Sequence, residues 1–549
     1  METPREQTAF PPTIMSFRNH DFVEINKGLL IVPNIAYEHQ GEVRAIQESL
    51  FRLKQEVLVA SGRSDVGAMC IACEDNNSDG VFLFPICREA HHFVCLGCLK
   101  DEAERGTERI VCPYDREDPF AMTEYRRIIS ERREAFRNQQ EELLNHLAVQ
   151  LPHAPSDFLL STTNIPDNPS LLTEKTTVSL ENIAISEFFF FVLLSKTKVR
   201  VGENLSLFGD NNGEDCIAEH GMARTDEPCC IDTTNVFWMK KPTPLFLENI
   251  NSIPLNSIVC TLGYHLWCKD GFVNILLKLR IGENSKTKFI CLHAAEKRYI
   301  TEILEQENNL FLGKTEEMEL HEYAVLVFLK LSEATKNSIL FLRITVTRAF
   351  SGLGELSERI IPLCAANDLY LTGYALDLLP EPTTRENVFL KAETKHEIAG
   401  MLTSDRRIEI GTTTNISLEN YAVNILPKLK MNEGIKSLLL KVDREDYVKE
   451  ILETADNSIE IGRIESITLY DQCIDILPKL KIGRNNEMKT FYLLPADYNN
   501  ITTPILEKGD NSIEIGRVKR SGFCVPEEIN PKLKYILVDE KGNEVIHLD

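Results

Sequence analysis

Ile425-Leu426-Pro427-Lys428-Leu429-Lys430 returns 51 residues later as Ile476-Leu477-Pro478-Lys479-Leu480-Lys481, and Ile529-Asn530-Pro531-Lys532-Leu533-Lys534 follows. A second motif keeps step with it. Asn457-Ser458-Ile459-Glu460-Ile461-Gly462-Arg463 recurs from Asn511, and Arg407-Ile408-Glu409-Ile410-Gly411 is an earlier copy. More worn copies extend the array: Tyr323-Ala324-Val325, Tyr374-Ala375-Leu376 and Tyr421-Ala422-Val423 step by about the same period, LLKLRIGEN spans Leu276 to Asn284, and KVRVGEN starts at Lys198. Within one period, SIEIGRIESITL reads as a β-rich segment, YDQCIDILPKL as a helix, MKTFYLL as a strand and ADYNNITTPILEK as a second helix. That makes two strand-helix units of roughly 25 residues, neither able to bury its apolar face alone. The expectation is therefore an α/β repeat, solenoid-like region over residues 258–549, stacked unit on unit.

The pattern of these repeats weakly resembles leucine-rich repeats, although the asparagine ladder of that family is not seen and the leucine spacing is irregular. Proline inside ILPKLK either opens a helix or bends one.

Working toward the amino terminus, the composition changes. Residues 151–257 read as a linker, rich in Pro, Ser, Thr and Asn from Pro152 to Ser170, followed by an irregular α/β segment; the apolar run Phe188 to Leu194 reads as a buried strand or helix. Upstream again, Cys70 to Asp115 carries a ladder of metal-ligand side chains in paired steps. A C-x2-C pair is the geometric unit of a tetrahedral zinc site, because a tight turn places both thiolates on one ion about 2.3 Å from each sulfur. Cys70 with Cys73 and Cys95 with Cys98 are two such steps; Cys112 with Asp115 is a third in which a carboxylate replaces a thiolate. Cys87 and a histidine, His92 or its neighbour His91, complete eight ligands, enough for two zinc ions.

The order C-x2-C-x13-C-x4-H-x2-C-x2-C-x13-C-x2-D resembles the RING finger family of ubiquitin ligases, in the variant with aspartate as eighth ligand. The string His92-Phe93-Val94-Cys95-Leu96-Gly97-Cys98-Leu99 is similar to the core signature of that family. The resemblance implies a small cross-brace domain over residues 65–119, with Cys70, Cys73, Cys95 and Cys98 on one zinc and Cys87, His92, Cys112 and Asp115 on the other. It also implies a role for this module: binding a ubiquitin-charged conjugating enzyme and holding its thioester in a reactive geometry, which is catalysis by orientation. By the same resemblance Ile71, Leu99 and Pro113 form the groove for the conjugating enzyme. Arg116 takes the place of the cation that bridges ubiquitin and conjugating enzyme, a role suited to a forked guanidinium.

Flanking this module, Val43, Ile46, Leu50, Leu53 and Val57 space an amphipathic helix within residues 1–64, and Tyr125, Ile128, Ile129, Phe136, Leu143 and Leu147 space another over 120–150. Such stripes need a partner surface, either each other or a second copy of the chain. The Arg126, Arg127, Arg132, Arg133 and Arg137 cluster is interleaved with glutamates and reads as a solvated helix face.

Composition bounds the remaining possibilities. A net charge of −23 argues against nucleic-acid binding, which rests on neutralising phosphates, and favours a protein partner. No apolar run is long enough to cross a bilayer and the first residues lack the apolar core of a signal peptide, so the fifteen cysteines are expected to be zinc ligands and buried thiols in a cytoplasmic, reducing compartment. Cys260, His265 and Cys268, and separately Cys291 with His293, read as satisfied core residues; vicinal Cys229 and Cys230 have no assigned part. The chain is thus expected to be multidomain, a RING transfer module followed by repeats that recruit a protein substrate. A zinc-stabilised scaffold or adaptor without transfer activity is the alternative.

Overall fold

A computed structural model of the chain describes residues 14–33 and 154–545 apart from short internal breaks; between 34 and 153 it describes four short strands, Leu83–Pro85, Phe93–Cys95, Arg109–Ile110 and Phe120–Ala121. It is a mixed α/β fold in two compact units, one comprising Met1–Cys229 and Asn235–Val259, the other Cys230–Thr234 and Cys260–Asp549. Both flanking helices expected from the apolar stripes at 43–57 and 125–147 lie outside the described residues.

The first unit contains an antiparallel meander, Ile14–Phe17, His20–Ile25 and Gly28–Pro33, with Ser170–Leu172 on its edge. Asp157–Leu160, expected within a linker, is instead a strand: it pairs in parallel with Thr177–Leu180, which pairs with Lys198–Val201. Lys198 is the start of the KVRVGEN segment, which is a parallel strand here as well. Ile183–Ser186 and Leu205–Phe208 form a second parallel ladder, and Asn182 and Asn204 turn the chain between the two ladders at φ 53° and 58°. Asn204 Nδ2 donates to Asn182 Oδ1 at 2.8 Å, tying the two corners together.

The apolar run Phe188 to Leu194 is helical, within Glu187–Lys196. Ser186 caps it by accepting from the Phe189 N–H at 3.3 Å, and Phe189 to Leu194 are all buried. Because it is apolar on all sides it needs neighbours on all sides. Phe22 meets Phe189 with ring centroids 4.6 Å apart, and Phe191 stacks on Phe246 of the helix Pro244–Ser252. Asn249 fastens that second helix: its Nδ2 donates to the carbonyls of Leu194 and Thr197, both at 2.7 Å, and its Oδ1 accepts from Val199 N–H at 2.9 Å.

In the second unit, an eleven-stranded sheet runs from His265–Lys269 to Phe523–Cys524, each strand parallel to the one before it. One strand is added per coil. Alternation sends every second side chain inward, and the registers align Leu266, Ile290, Met318, Leu342, Leu369, Val388, Ile416, Leu438, Ile467 and Phe491 in one buried row. Each such side chain contributes about 1.5–3 kcal/mol of transfer free energy. None of it is available to a lone coil.

The two motifs that recur in the sequence are each other's hydrogen-bonding partners. Ile408 pairs with Leu429, Ile459 with Leu480 and Ile513 with Leu533, all in parallel, so each IEIG segment is zipped to the PKLK segment of the following coil. The lysines of that motif reinforce the contact. Lys479 Nζ donates to the Thr454 carbonyl at 2.6 Å and sits 3.0 Å from Asp456, while Lys532 reaches Asp510 at 2.8 Å.

Most of the helical segments expected between strands are 3-10 turns, among them Tyr323–Lys330, Tyr421–Lys428 and Gln472–Lys479. A 3-10 turn covers more length per residue than an α-helix, which suits a coil that must reverse within a few residues. Pro427 and Pro478 sit one residue from the ends of their turns and help terminate them, returning the chain to Leu429–Lys430 and Leu480–Lys481. Every second coil bends at a residue with positive φ: Asp270, Glu322, Gly373, Asn420 and Asp471, the last four with ψ between −123° and −139°. Glycine adopts this region freely and other residues at a cost of roughly 1–3 kcal/mol. Polar side chains at the corners offset part of it: Glu322 accepts from Thr347 N–H at 3.0 Å, and Asn420 donates to Glu393 at 2.9 Å. At Gly373 a Cβ would stand 2.2 Å from the Val346 carbonyl oxygen.

Four residues after four of these five corners stand Asn274, Asp377, Asn424 and Asp475, polar positions that the recurring motifs do not announce; after Glu322 the place is taken by Leu326. Asn424 links one coil to the next. Its Nδ2 donates to the Tyr421 and Tyr447 carbonyls at 3.1 and 2.6 Å, and its Oδ1 accepts from Ile451 N–H at 3.0 Å. Asp475 likewise accepts from Ile505 N–H at 3.0 Å.

Asn424→Ala should leave a buried N–H and a buried carbonyl without partners and lower unfolding free energy by about 2–3 kcal/mol in urea titrations. At the equivalent place, burial pushes the Asp377 carboxyl above its usual pKa. The ionised form is thus disfavoured in the folded state, a penalty present at neutral pH and relieved as pH falls through the raised value toward the unfolded one near 3.9. Asp377→Asn is expected to stabilise the chain at pH 7, on the order of 0.5–1 kcal/mol, with the gain fading in acid; a gain independent of pH would contradict this origin.

Candidate functional site

Two places in the chain gather chemistry-bearing residues. Of the proposed zinc ligands, Cys70, Cys73, Cys87, His92, Cys98, Cys112 and Asp115 lie outside the described residues, as do His91, Arg116, Ile71, Leu99 and Pro113. Cys95 is the last residue of the strand Phe93–Cys95. The backbone around them is informative. Phe93–Cys95 pairs antiparallel with Leu83–Pro85, Pro85 opposite Phe93, so Cys87 and both histidines fall in the single connection 86–92. Arg109–Ile110 pairs antiparallel with Phe120–Ala121, Ile110 opposite Phe120, and its connection 111–119 carries Cys112, Pro113, Asp115 and Arg116. The stretches 86–92 and 111–119 between these paired strands each contain, in sequence, two residues that the RING resemblance places on one ion.

The second place is the outward face of the parallel sheet. Strand alternation puts Trp267, Cys291, Glu319, Arg343, Tyr370 and Phe389 side by side in one register row. Lys269, His293, His321 and Thr345 form the next row. Phe341, Tyr370 and Phe389 stack face to face, centroids 4.6 and 4.0 Å apart, and the Arg343 guanidinium lies 5.4 and 5.2 Å from the Phe341 and Tyr370 ring centres. Arg343 also holds Glu319 Oε1 at 2.8 Å, while Glu319 Oε2 stands 3.5 Å from His321 Nε2. The hydrogen bond to His321 and then the Arg343 charge hold the Glu319 carboxyl below its usual pKa although burial opposes this. The His321 ring lies 6.0 Å from that of His293, whose Nδ1 is 3.5 Å from Asp270. Burial works against ionisation of Asp270, but His293 and the Ala295 N–H, 2.9 Å away, outweigh it and lower its pKa.

Cys291 forms the floor of this patch at 1% exposure. Its Sγ, a Glu319 oxygen and a His321 ring nitrogen all lie within 4.8 Å of one another, a possible metal-binding triad. Along the sequence Cys291 has only His293 for a neighbour, and Glu319 and His321 are not singled out by any motif. The available signal was a shared offset of 28 residues, Cys291 to Glu319 and His293 to His321, which becomes legible once the coil length is known. By contrast, Cys260 and Cys268 are buried in the core as expected, whereas His265, expected there too, is exposed at the start of its strand because alternation turns it to the outward face. Cys229 is buried, and Cys230 lies outside the described residues. No family model, no curated protein and no solved structure matches this chain.

Proposed function

We propose that the chain is a RING-type ubiquitin ligase, in which residues 65–119 bind a ubiquitin-charged conjugating enzyme and the repeats of 258–549 recruit protein substrates. The observation that carries this reading is the eight-ligand order from Cys70 to Asp115, supported by the two antiparallel strand pairs between whose strands each ligand pair falls in sequence. Two zinc ions would tie Cys70, Cys73, Cys95 and Cys98 into one knot and Cys87, His92, Cys112 and Asp115 into another, with His91 the other candidate for the histidine. The zinc supplies folding free energy in such a module and no bond-making.

Transfer then rests on orientation. Ile71, Leu99 and Pro113 offer an apolar groove to the conjugating enzyme, and Arg116, next to the last ligand, donates from its fork to enzyme and ubiquitin together. The repeat sheet supports the substrate-binding part. Its outward face carries Trp267 at 38% exposure and the Phe341, Tyr370 and Phe389 stack under Arg343. Aromatic and arginine side chains are the types that concentrate binding energy at protein interfaces.

Arg116→Ala is expected to keep zinc content and conjugating-enzyme affinity while slowing ubiquitin discharge roughly 10-fold, the loss of one charge-assisted hydrogen bond made in the reactive arrangement. Ile71→Ala should weaken the binding itself, read as a raised Kd for the conjugating enzyme. Unchanged discharge in both variants at matched zinc content would favour the adaptor reading.

A further inference from the structure

We propose that Cys291, Glu319 and His321 form a mononuclear site for zinc or a divalent cation of similar softness, with a fourth coordination position left to water. This site lies in the repeats and does not depend on the ligand ladder at Cys70–Asp115.

The donor set is one thiolate, one imidazole and one carboxylate, which suits zinc and excludes magnesium and calcium, whose sites are built from oxygens. Geometry supports the same cation. Zinc bonds of 2.0–2.3 Å set ligand-to-ligand edges of roughly 3.4–3.8 Å in a tetrahedron. Glu319 Oε2 and His321 Nε2, at 3.5 Å, already stand at that separation. The widest of the three separations is at most 4.8 Å, so closing the site takes about 1 Å of side-chain rotation. All three residues are on adjacent, in-register strands and not on loops, which keeps their starting positions tightly defined.

Arg343 shapes the site from outside. It holds Glu319 Oε1 at 2.8 Å, which leaves Oε2 facing His321. Its positive charge, however, opposes a second cation on the same carboxylate. The thiol is buried while the two other ligands are partly exposed, His321 at 27% and Glu319 at 17%. Uptake of the ion releases the Cys291 thiol proton to solvent, while the imidazole binds in its neutral form.

The test uses the full chain with Cys291→Ser, His321→Ala and Arg343→Ala, measuring zinc per chain after gel filtration and zinc affinity against a chromogenic chelator. Wild type should hold one more zinc than Cys291→Ser or His321→Ala, with far-ultraviolet circular dichroism unchanged. Arg343→Ala should keep that zinc and bind it about 10-fold more tightly, the size typical of groups adjoining a metal site. An ion pair with no metal role would instead give no zinc difference at all. Should Cys291→Ser fail to fold, Glu319→Gln gives the same readout from the sheet surface. Equal zinc in wild type and folded ligand variants would overturn the proposal. Because every chain compared has the same residues 1–150, the difference is independent of the number of ions bound at Cys70–Asp115.

Discussion

A coil of this chain cannot stand alone. Its inward row, for example Leu438 and Leu440, is covered only because Ile416 and Leu418 precede it and Ile467 and Leu469 follow it in register. Backbone pairing from coil to coil is therefore the constraint on which the second unit depends. A one-residue slip would turn every inward leucine outward, so the pairing must be fixed at more than one point. It is fixed at the sheet, at the IEIG to PKLK zipper, and through amides such as Asn424 that reach into the next coil. The corners at Glu322, Gly373, Asn420 and Asp471 are tolerated in a glycine-like conformation because these attachments over-determine them.

That constraint also explains what the outward face can do. Since the inward face holds the fold, outward positions are free to differ from strand to strand. The row through Cys291, Glu319, Arg343, Tyr370 and Phe389 passes from metal-ligand chemistry to ion pairing to aromatic stacking within five strands. A surface of this kind suits the recognition of a partner, the part proposed for it. In the proposed reading, transfer rests with the zinc ladder near the amino terminus, where orientation would be the whole of the catalytic requirement.

Much of the repeat region is legible in the sequence because its two motifs are chemically constrained. ILPKLK and NSIEIG return since each must pair with the other, and two strand-helix units per period follow from their spacing. Three things are hidden. The turns between strands are mostly 3-10 and not α, since coil length, not propensity, sets them. The polar positions Asn274, Asp377, Asn424 and Asp475 escape notice because they mix amide with carboxyl, fall on alternate coils and are interrupted at Leu326. The Cys291, Glu319 and His321 triad is invisible without the register, as its other members are 28 and 30 residues from Cys291. In the first unit, the strand Asp157–Leu160 is obscured by the proline and serine on its amino-terminal side and the Ser-Thr-Thr run after it. The ligand order at Cys70–Asp115 is the opposite case, a spacing that proposes its chemistry before any coordinate is known.

The most direct measurement is ubiquitin incorporation by the full-length, zinc-loaded chain, incubated with activating enzyme, ATP, ubiquitin and a panel of conjugating enzymes. Ubiquitin-modified chain, or free ubiquitin polymer, is expected with at least one conjugating enzyme, and that product should be lost on Cys112→Ala. No product with any member of the panel, from protein with its zinc in place, would contradict a ligase.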